Sequence, residues 1–162
     1  MKYEVIDNFL DKEYFDSLQT FFIDEMPWFF AAGISEEGVP EGKLFYMYHM
    51  IYQACTPRSV VFDKMHPLLK KLEADHLLRI KVNFYPNTSI LKEHDYHIDY
   101  QEPHTGALLA LNTCDGYTKI RKTGEKYPSV ANTLLVFDSS KDHCSTTTTN
   151  ALGRFNININ YS

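Results

Sequence analysis

The chain has 162 residues, 44% hydrophobic and 14% aromatic, enough for one domain whose core needs neither disulfides nor a structural metal. Its net charge of −5, with no long block of one sign, argues against a general phosphate-backbone binder. Three widely spaced cysteines without a CxxC pair exclude a zinc knuckle or a disulfide framework. The first ten residues, MKYEVIDNFL, lack the basic and apolar regions of a signal peptide, and no apolar run reaches membrane-spanning length. The expected location is cytoplasmic, with no membrane partner.

In chain order, Tyr3 to Ile6 reads as a short strand. Asp11 is placed to cap the next helix, because its carboxylate can accept a free backbone N–H of the first turn. Tyr14, Phe15, Leu18, Phe21 and Phe22 recur at helical spacing and give that helix one wide apolar face; it should stop near Pro27. Ala31 to Lys43, with Gly33, Gly38, Pro40 and Gly42 among acidic residues, reads as a long loop, a feature that is often functional in a compact domain. Aromatic residues crowd Phe45 to Tyr52, where the pattern leaves strand and helix open. Val60 to Ala74 is a second helical segment with Val61, Met65, Leu68 and Leu72 on one side. Pro67, which has no N–H to donate, should kink or split it.

From Leu77 the texture changes. Leu77 to Tyr85, Gly106 to Thr113, Tyr117 to Arg121, Thr133 to Asp138 and Arg154 to Tyr161 are strand candidates, separated by turn signals such as Pro86-Asn87, Asp115-Gly116 and Leu152-Gly153. Two helices followed by many strands give an α+β class, the helices buttressing an antiparallel sheet that folds on itself. We expect one domain over 1–162, with a helical part at about 1–76 and a barrel at about 77–162.

Chemistry concentrates in the second half. Residues two apart on a strand point to the same face, so His97 and Asp99 can reach one ion, and His143 from a neighbouring strand would complete two imidazoles and a carboxylate. That donor set leaves open positions and suits non-haem iron, whereas zinc prefers a closed or thiolate-bearing site. Taken alone, His97-Ile98-Asp99 is a weak signal. Arg154, eleven residues after His143, opens the last strand, and its planar fork suits the far carboxylate of a dicarboxylate. Gly153 before it allows a tight turn. Arg154, Asn156, Asn158 and Asn160 share one face of that strand, and Arg79, Lys81, Asn83 and Tyr85 alternate in the same way. The pattern alone leaves open whether these polar faces meet water or a cavity.

With these residues assembled, the chain resembles the prolyl 4-hydroxylase-like branch of the iron(II)- and 2-oxoglutarate-dependent dioxygenase superfamily, in particular small phage and bacterial members. The likeness runs from Val5-Ile6-Asp7-Asn8-Phe9-Leu10 and Pro27-Trp28-Phe29-Phe30 through Tyr85, His97, Asp99, Gly116-Tyr117-Thr118, Asn132, Val136-Phe137-Asp138 and His143 to Arg154. The resemblance implies a double-stranded β-helix (jelly roll) buttressed by N-terminal helices, with His97 and Asp99 ending an early barrel strand and His143 and Arg154 on the last two. It implies His97, Asp99 and His143 as ligands of Fe(II), Arg154 as the partner of 2-oxoglutarate, Tyr85 beside that co-substrate, and O₂ as the oxidant. For a phage-encoded chain the location would be the host cytoplasm. Leu108, Leu109 and Leu111 stand where some relatives carry a tyrosine that helps hold 2-oxoglutarate, and Asn83 or Asn158 is the expected substitute.

The implied activity is oxidative decarboxylation of 2-oxoglutarate to succinate, coupled to hydroxylation of a prolyl or other peptide residue, a nucleotide or a metabolite. Prolyl hydroxylation itself does not follow, since one site of this kind serves many substrates. Candidate rim elements are the 31–43 loop, the Gln101 to His104 loop and a basic stretch formed by Lys119, Arg121, Lys122 and Lys126; Thr146 to Thr149 would line the entrance or form a strand. Two alternatives are a non-catalytic jelly-roll binding module with a structural or vestigial metal site, and a zinc hydrolase, which would need a nearby general base and gives Arg154 no task.

Overall fold

The computed structural model describes residues 3–32 and 44–162, so the predicted 31–43 loop lies, from residue 33 on, outside the described residues. Asp11 caps the first helix as expected, its side chain accepting the Tyr14 N–H. Helix α1 (Lys12–Thr20) continues into one π-helical turn at Phe21–Glu25 before Pro27. Phe15, Leu18 and Phe22 are buried along one side. Pro67 splits the second helical segment into a 3-10 stretch, Val60–Met65, and α2 (His66–Leu72), in which the proline takes the first turn where no N–H is needed.

The aromatic stretch that sequence left open is a strand. Besides β1 (Glu4–Ile6), the N-terminal part supplies β2 (Phe29–Ala31), β3 (Tyr46–Gln53) and β4 (Thr56–Pro57), so it contributes strands as well as helices. The remaining strands are β5 (Leu77–Pro86), β6 (Thr105–Ala110), β7 (Tyr117–Ile120), β8 (Lys126–Pro128), β9 (Leu134–Asp138), β10 (His143–Ser145) and β11 (Gly153–Tyr161). The larger sheet runs β1-β9-β6-β11-β5-β3-β2, with β4 beside β3, and the smaller runs β10-β7-β8. Every strand pair is antiparallel.

The centre of the large sheet decides where the site lies. In the β5–β11 register Arg154 faces Tyr85, Asn156 faces Asn83, Asn158 faces Lys81 and Asn160 faces Arg79. The alternate residues Ile80, Val82, Phe155, Ile157 and Ile159 pack with the buried faces of both helices in the main core. The asparagine face does not meet water. Asn156, Asn158 and Asn160 are 2%, 6% and 0% exposed, so the polar face is enclosed between the two sheets. Burial of this much polar surface is costly unless the groups are hydrogen-bonded or meet a ligand.

Gly153 is needed for space rather than for a turn. It sits in β11, and a Cβ there would run into the Phe84 ring. That ring stacks on Phe155 with centroids 4.6 Å apart, and Trp28 packs against both.

Candidate metal centre and cavity

His97 and His143 are brought together by the backbone. Each N–H donates to the other's carbonyl at 3.0 Å, an isolated antiparallel bridge that sets both rings on one side. His97 and Asp99 therefore sit on an irregular extended segment beside β10 rather than at the end of a regular strand. The ring centroids of the two histidines are 4.5 Å apart. Asp99 is held next to them by its own N–H, which donates to the Ser139 carbonyl at 3.0 Å.

The potential ligand atoms of His97, Asp99 and His143 lie within 4.8 Å of one another, close enough for one ion with bonds of about 2.1 Å to draw them together. His143 Nδ1 lies 2.9 Å from the Lys141 carbonyl, which can only accept. The proton is therefore on Nδ1 and Nε2 is free to ligate. Burial pushes the His97 pKa down to about 4, helped by the neighbouring His143, and burial lowers His143 as well. Both rings are neutral near pH 7, the state a metal requires.

The carboxylate is fixed at both oxygens. Arg79 Nη2 donates to Asp99 Oδ1 at 2.5 Å, while Asn160 and Asn158 donate to Oδ2 at 2.9 and 3.2 Å. Burial alone would raise the Asp99 pKa, but the Arg79 guanidinium overrides it and holds the group well below the usual carboxylate range. Behind this, Ser139 Oγ lies 2.7 Å from His104 Nε2 and accepts from Asn160 Nδ2 at 3.0 Å. His104 thus braces Asp99 through Ser139 and Asn160. The sequence singles out neither Arg79, Ser139 nor Asn160 for a part here; polar alternation on β5 and β11 is the signal for Arg79 and Asn160, and Ser139, just past β9, carries none.

These residues open on a cavity of about 410 Å³ whose lining includes Tyr46, Arg79, Lys81, Asn83, Tyr85, His97, Ile98, Asp99, Leu108 and His143. Tyr85 is one wall. Its hydroxyl accepts from Ser145 Oγ at 3.1 Å, and its ring stacks on Tyr46 at 5.8 Å. Asn83 donates to Asn156 at 3.0 Å and keeps an unpartnered Oδ1. Asn158, expected to help with the co-substrate, also lines the cavity, but its amide donates to Asp99.

Arg154 lies behind Tyr85, its guanidinium carbon 5.7 Å from the ring centroid. It is 4% exposed; Nη2 donates to Thr118 Oγ1 at 2.7 Å, while Nε and Nη1 have no hydrogen-bond partner among the described residues. Burial lowers its pKa, and the groups that oppose the shift are Tyr85, Cys114 and Cys144 rather than any carboxylate. His94 packs against Tyr85, neither ring nitrogen within hydrogen-bond geometry of a partner among the described residues, and burial pushes its pKa down to about 4. A buried cation with unused donors is what an anionic ligand would satisfy.

Several rim expectations end differently. Thr146, Thr147 and Thr148 are buried, not at an entrance. Their hydroxyls accept the Tyr117 and Lys92 N–H groups and donate to Asp115, which ties the 87–96 segment to the turn before β7. Lys119 pairs with Glu93 at 3.0 Å and Arg121 with Asp142 at 3.4 Å, so those charges are already matched. Cys55, Cys114 and Cys144 are free. No helix among the described residues is long and apolar enough to cross a membrane.

No protein-family model matches the chain, and a search of curated proteins finds no match. Solved structures do match. A prolyl hydroxylase from Trichoplax adhaerens, in complex with a hypoxia inducible factor peptide fragment, superposes with a TM-score of 0.70 at 15% identity over 98% of this chain and 82% of that one. An oxidoreductase of the 2OG-Fe(II) oxygenase family from Burkholderia pseudomallei gives 0.71 at 12% identity over 99% and 85%. A viral collagen prolyl hydroxylase from Paramecium Bursaria Chlorella virus-1, in its 2OG complex, gives 0.63 at 14% identity over 100% and 97%. The fold is the double-stranded β-helix. Within that β-helix, the polar faces of β5 and β11 turn inward, with the His97–Asp99–His143 group at the cavity.

Proposed function

We propose that the protein is an iron(II)- and 2-oxoglutarate-dependent dioxygenase of the prolyl 4-hydroxylase-like branch that hydroxylates an unidentified substrate. The observation that carries this reading is the buried Arg154 guanidinium, which among the described residues has two unused nitrogens and no carboxylate beside it, next to a wall of the cavity that holds a His–Asp–His group. Two neutral imidazoles and one carboxylate fit iron(II), and the orphaned donors of Arg154 fit the distal carboxylate of the keto acid. The neighbouring structures named for 2OG and Fe(II) support the same assignment.

When bound, these groups supply the four-electron reduction of O₂, two electrons coming from 2-oxoglutarate, which loses CO₂ and takes one oxygen as succinate, and two from a substrate C–H bond, which takes the other as hydroxyl. The chain's own residues bind and orient. His97 and His143 offer neutral nitrogens. Asp99 offers a carboxylate that Asn158, Asn160 and Arg79 keep from turning. Arg154 fixes the far end of the dicarboxylate, with Tyr85 and Ser145 forming the wall between. Asp99 is the one carboxylate lining the cavity among the described residues, so the base that a zinc hydrolase requires has no candidate there.

Slow succinate formation from 2-oxoglutarate without prime substrate tests the reading. It should occur in iron(II)-loaded protein and vanish in His97→Ala and Asp99→Ala. A protein that never consumes 2-oxoglutarate would instead favour a binding module.

A further inference from the structure

Of the basic groups expected at the rim, Lys119 and Arg121 are paired with Glu93 and Asp142, whereas two cations not singled out for substrate from the sequence lie inside. Arg79 and Lys81, two apart on β5, both line the 410 Å³ cavity beside Asp99. Arg79 shares Asp99, and its buried Nε has no partner. Lys81 has no hydrogen bond or ion pair among the described residues; its Nζ lies 5.3 Å from the Tyr46 ring centroid. The charges do not balance. On the dioxygenase reading, against iron(II), Arg154, Arg79 and Lys81 stand, among the described residues, only Asp99 and the two carboxylates of 2-oxoglutarate, which leaves an excess of two positive charges. Cations removed from water need a counter-charge, and among the described residues the remaining lining supplies none.

We propose that Arg79 and Lys81 form a substrate subsite for an anionic group, carboxylate or phosphate, carried close to the C–H bond that is hydroxylated. This rests on the dioxygenase reading and narrows it to acidic substrates. Lys81 is a point charge that can follow the anion, and Arg79 ties it to the ligand Asp99, so substrate and metal are held by one strand. Tyr46, Tyr85, Ile98 and Leu108 leave an apolar wall for the rest of the molecule. A neutral substrate would leave Lys81 without a counter-charge among the described residues, with Arg79 held by Asp99 alone.

The test titrates inorganic phosphate, and separately acetate, by calorimetry into anaerobic iron(II) protein saturated with 2-oxoglutarate. The wild type is compared with Lys81→Gln and Lys81→Arg; Lys81→Met replaces the glutamine variant where that does not fold. Saturable one-site binding to wild type and Lys81→Arg, weakened about tenfold or more in the neutral variant, supports the proposal. A preference for phosphate or for acetate identifies which anion the substrate carries. Equal binding in all variants, or none in any, overturns it. If the neutral variant instead loses 2-oxoglutarate, seen as loss of the visible band of the iron–keto acid complex, Lys81 serves the co-substrate; the proposal fails and the dioxygenase reading stands. If wild type forms no such band, both fall together.

Discussion

Asn160 illustrates how much of the site depends on residues that touch no ligand. Its amide donates to Asp99 Oδ2 at 2.9 Å and to Ser139 Oγ at 3.0 Å, and Ser139 is in turn matched to His104. Groups that orient a ligand in this way tune metal affinity, so Asn160→Ala should weaken iron(II) binding by about 10- to 100-fold in a chelator competition. Unchanged affinity would mean that Arg79 alone fixes the carboxylate. Gly116 acts through Arg154: a Cβ there would lie 2.8 Å from Arg154 Cδ and 2.7 Å from the Thr147 carbonyl. Gly116→Ala should therefore displace the guanidinium and raise the 2-oxoglutarate dissociation constant by about tenfold, with metal affinity preserved; a constant equal to wild type would separate Arg154 from the co-substrate. His97, Asp99 and His143 stood out only through the series around them, with Arg154 following, since a His two before an Asp is a weak signal by itself. Asn160 did not, because its partner is 61 residues away and asparagine on a strand face is ordinary.

At the scale of elements, β5 and β11 each carry two opposed faces, and the apolar one holds the helices on. Ile157 is fully buried in that core. Ile157→Ala should cost about 2–5 kcal/mol in urea unfolding, while Val60→Ala, at a side chain 98% exposed, should cost almost nothing. Equal effects would contradict the assigned core face. The alternation itself was plain in the sequence, but its direction was not. A polar face looking into a closed cavity and one looking into water have the same period of two. Strand β8, three residues long, has no signal in the sequence because so short a run carries no periodicity; β10 was expected only as the strand carrying His143, and it exists through pairing with β7. Pro67, by contrast, acts locally, and the split between the 3-10 stretch and α2 falls where its missing N–H dictates.

For the whole molecule, both helices and the run of strands from Leu77 were readable, but β2, β3 and β4 between the helices and the closure of the sheets were not. Strand β1 pairs with β9, from opposite ends of the chain, and no local pattern encodes that register. The enclosed interior has a consequence for acid stability. Burial lowers the pKa values of His94 and His97 to about 4 and lowers His143 in the same direction. The unfolded chain takes up these protons near pH 6.5, where the folded chain does not, so stability is intact above that pH and is lost as pH falls through the window toward 4. The melting temperature of metal-free protein should drop between pH 7 and pH 5, less steeply in His94→Gln. A flat profile would contradict the buried, neutral histidines. Asp99 adds to the loss only below its ordinary range, because its folded pKa is depressed.

The most direct measurement of the central claim is the visible absorption of the anaerobic protein on adding iron(II) and then 2-oxoglutarate. A weak charge-transfer band should grow saturably in wild type, be absent in Asp99→Ala, and need about 100-fold more keto acid in Arg154→Ala. No band in wild type, or a band that saturates equally well without the Arg154 guanidinium, would contradict the account.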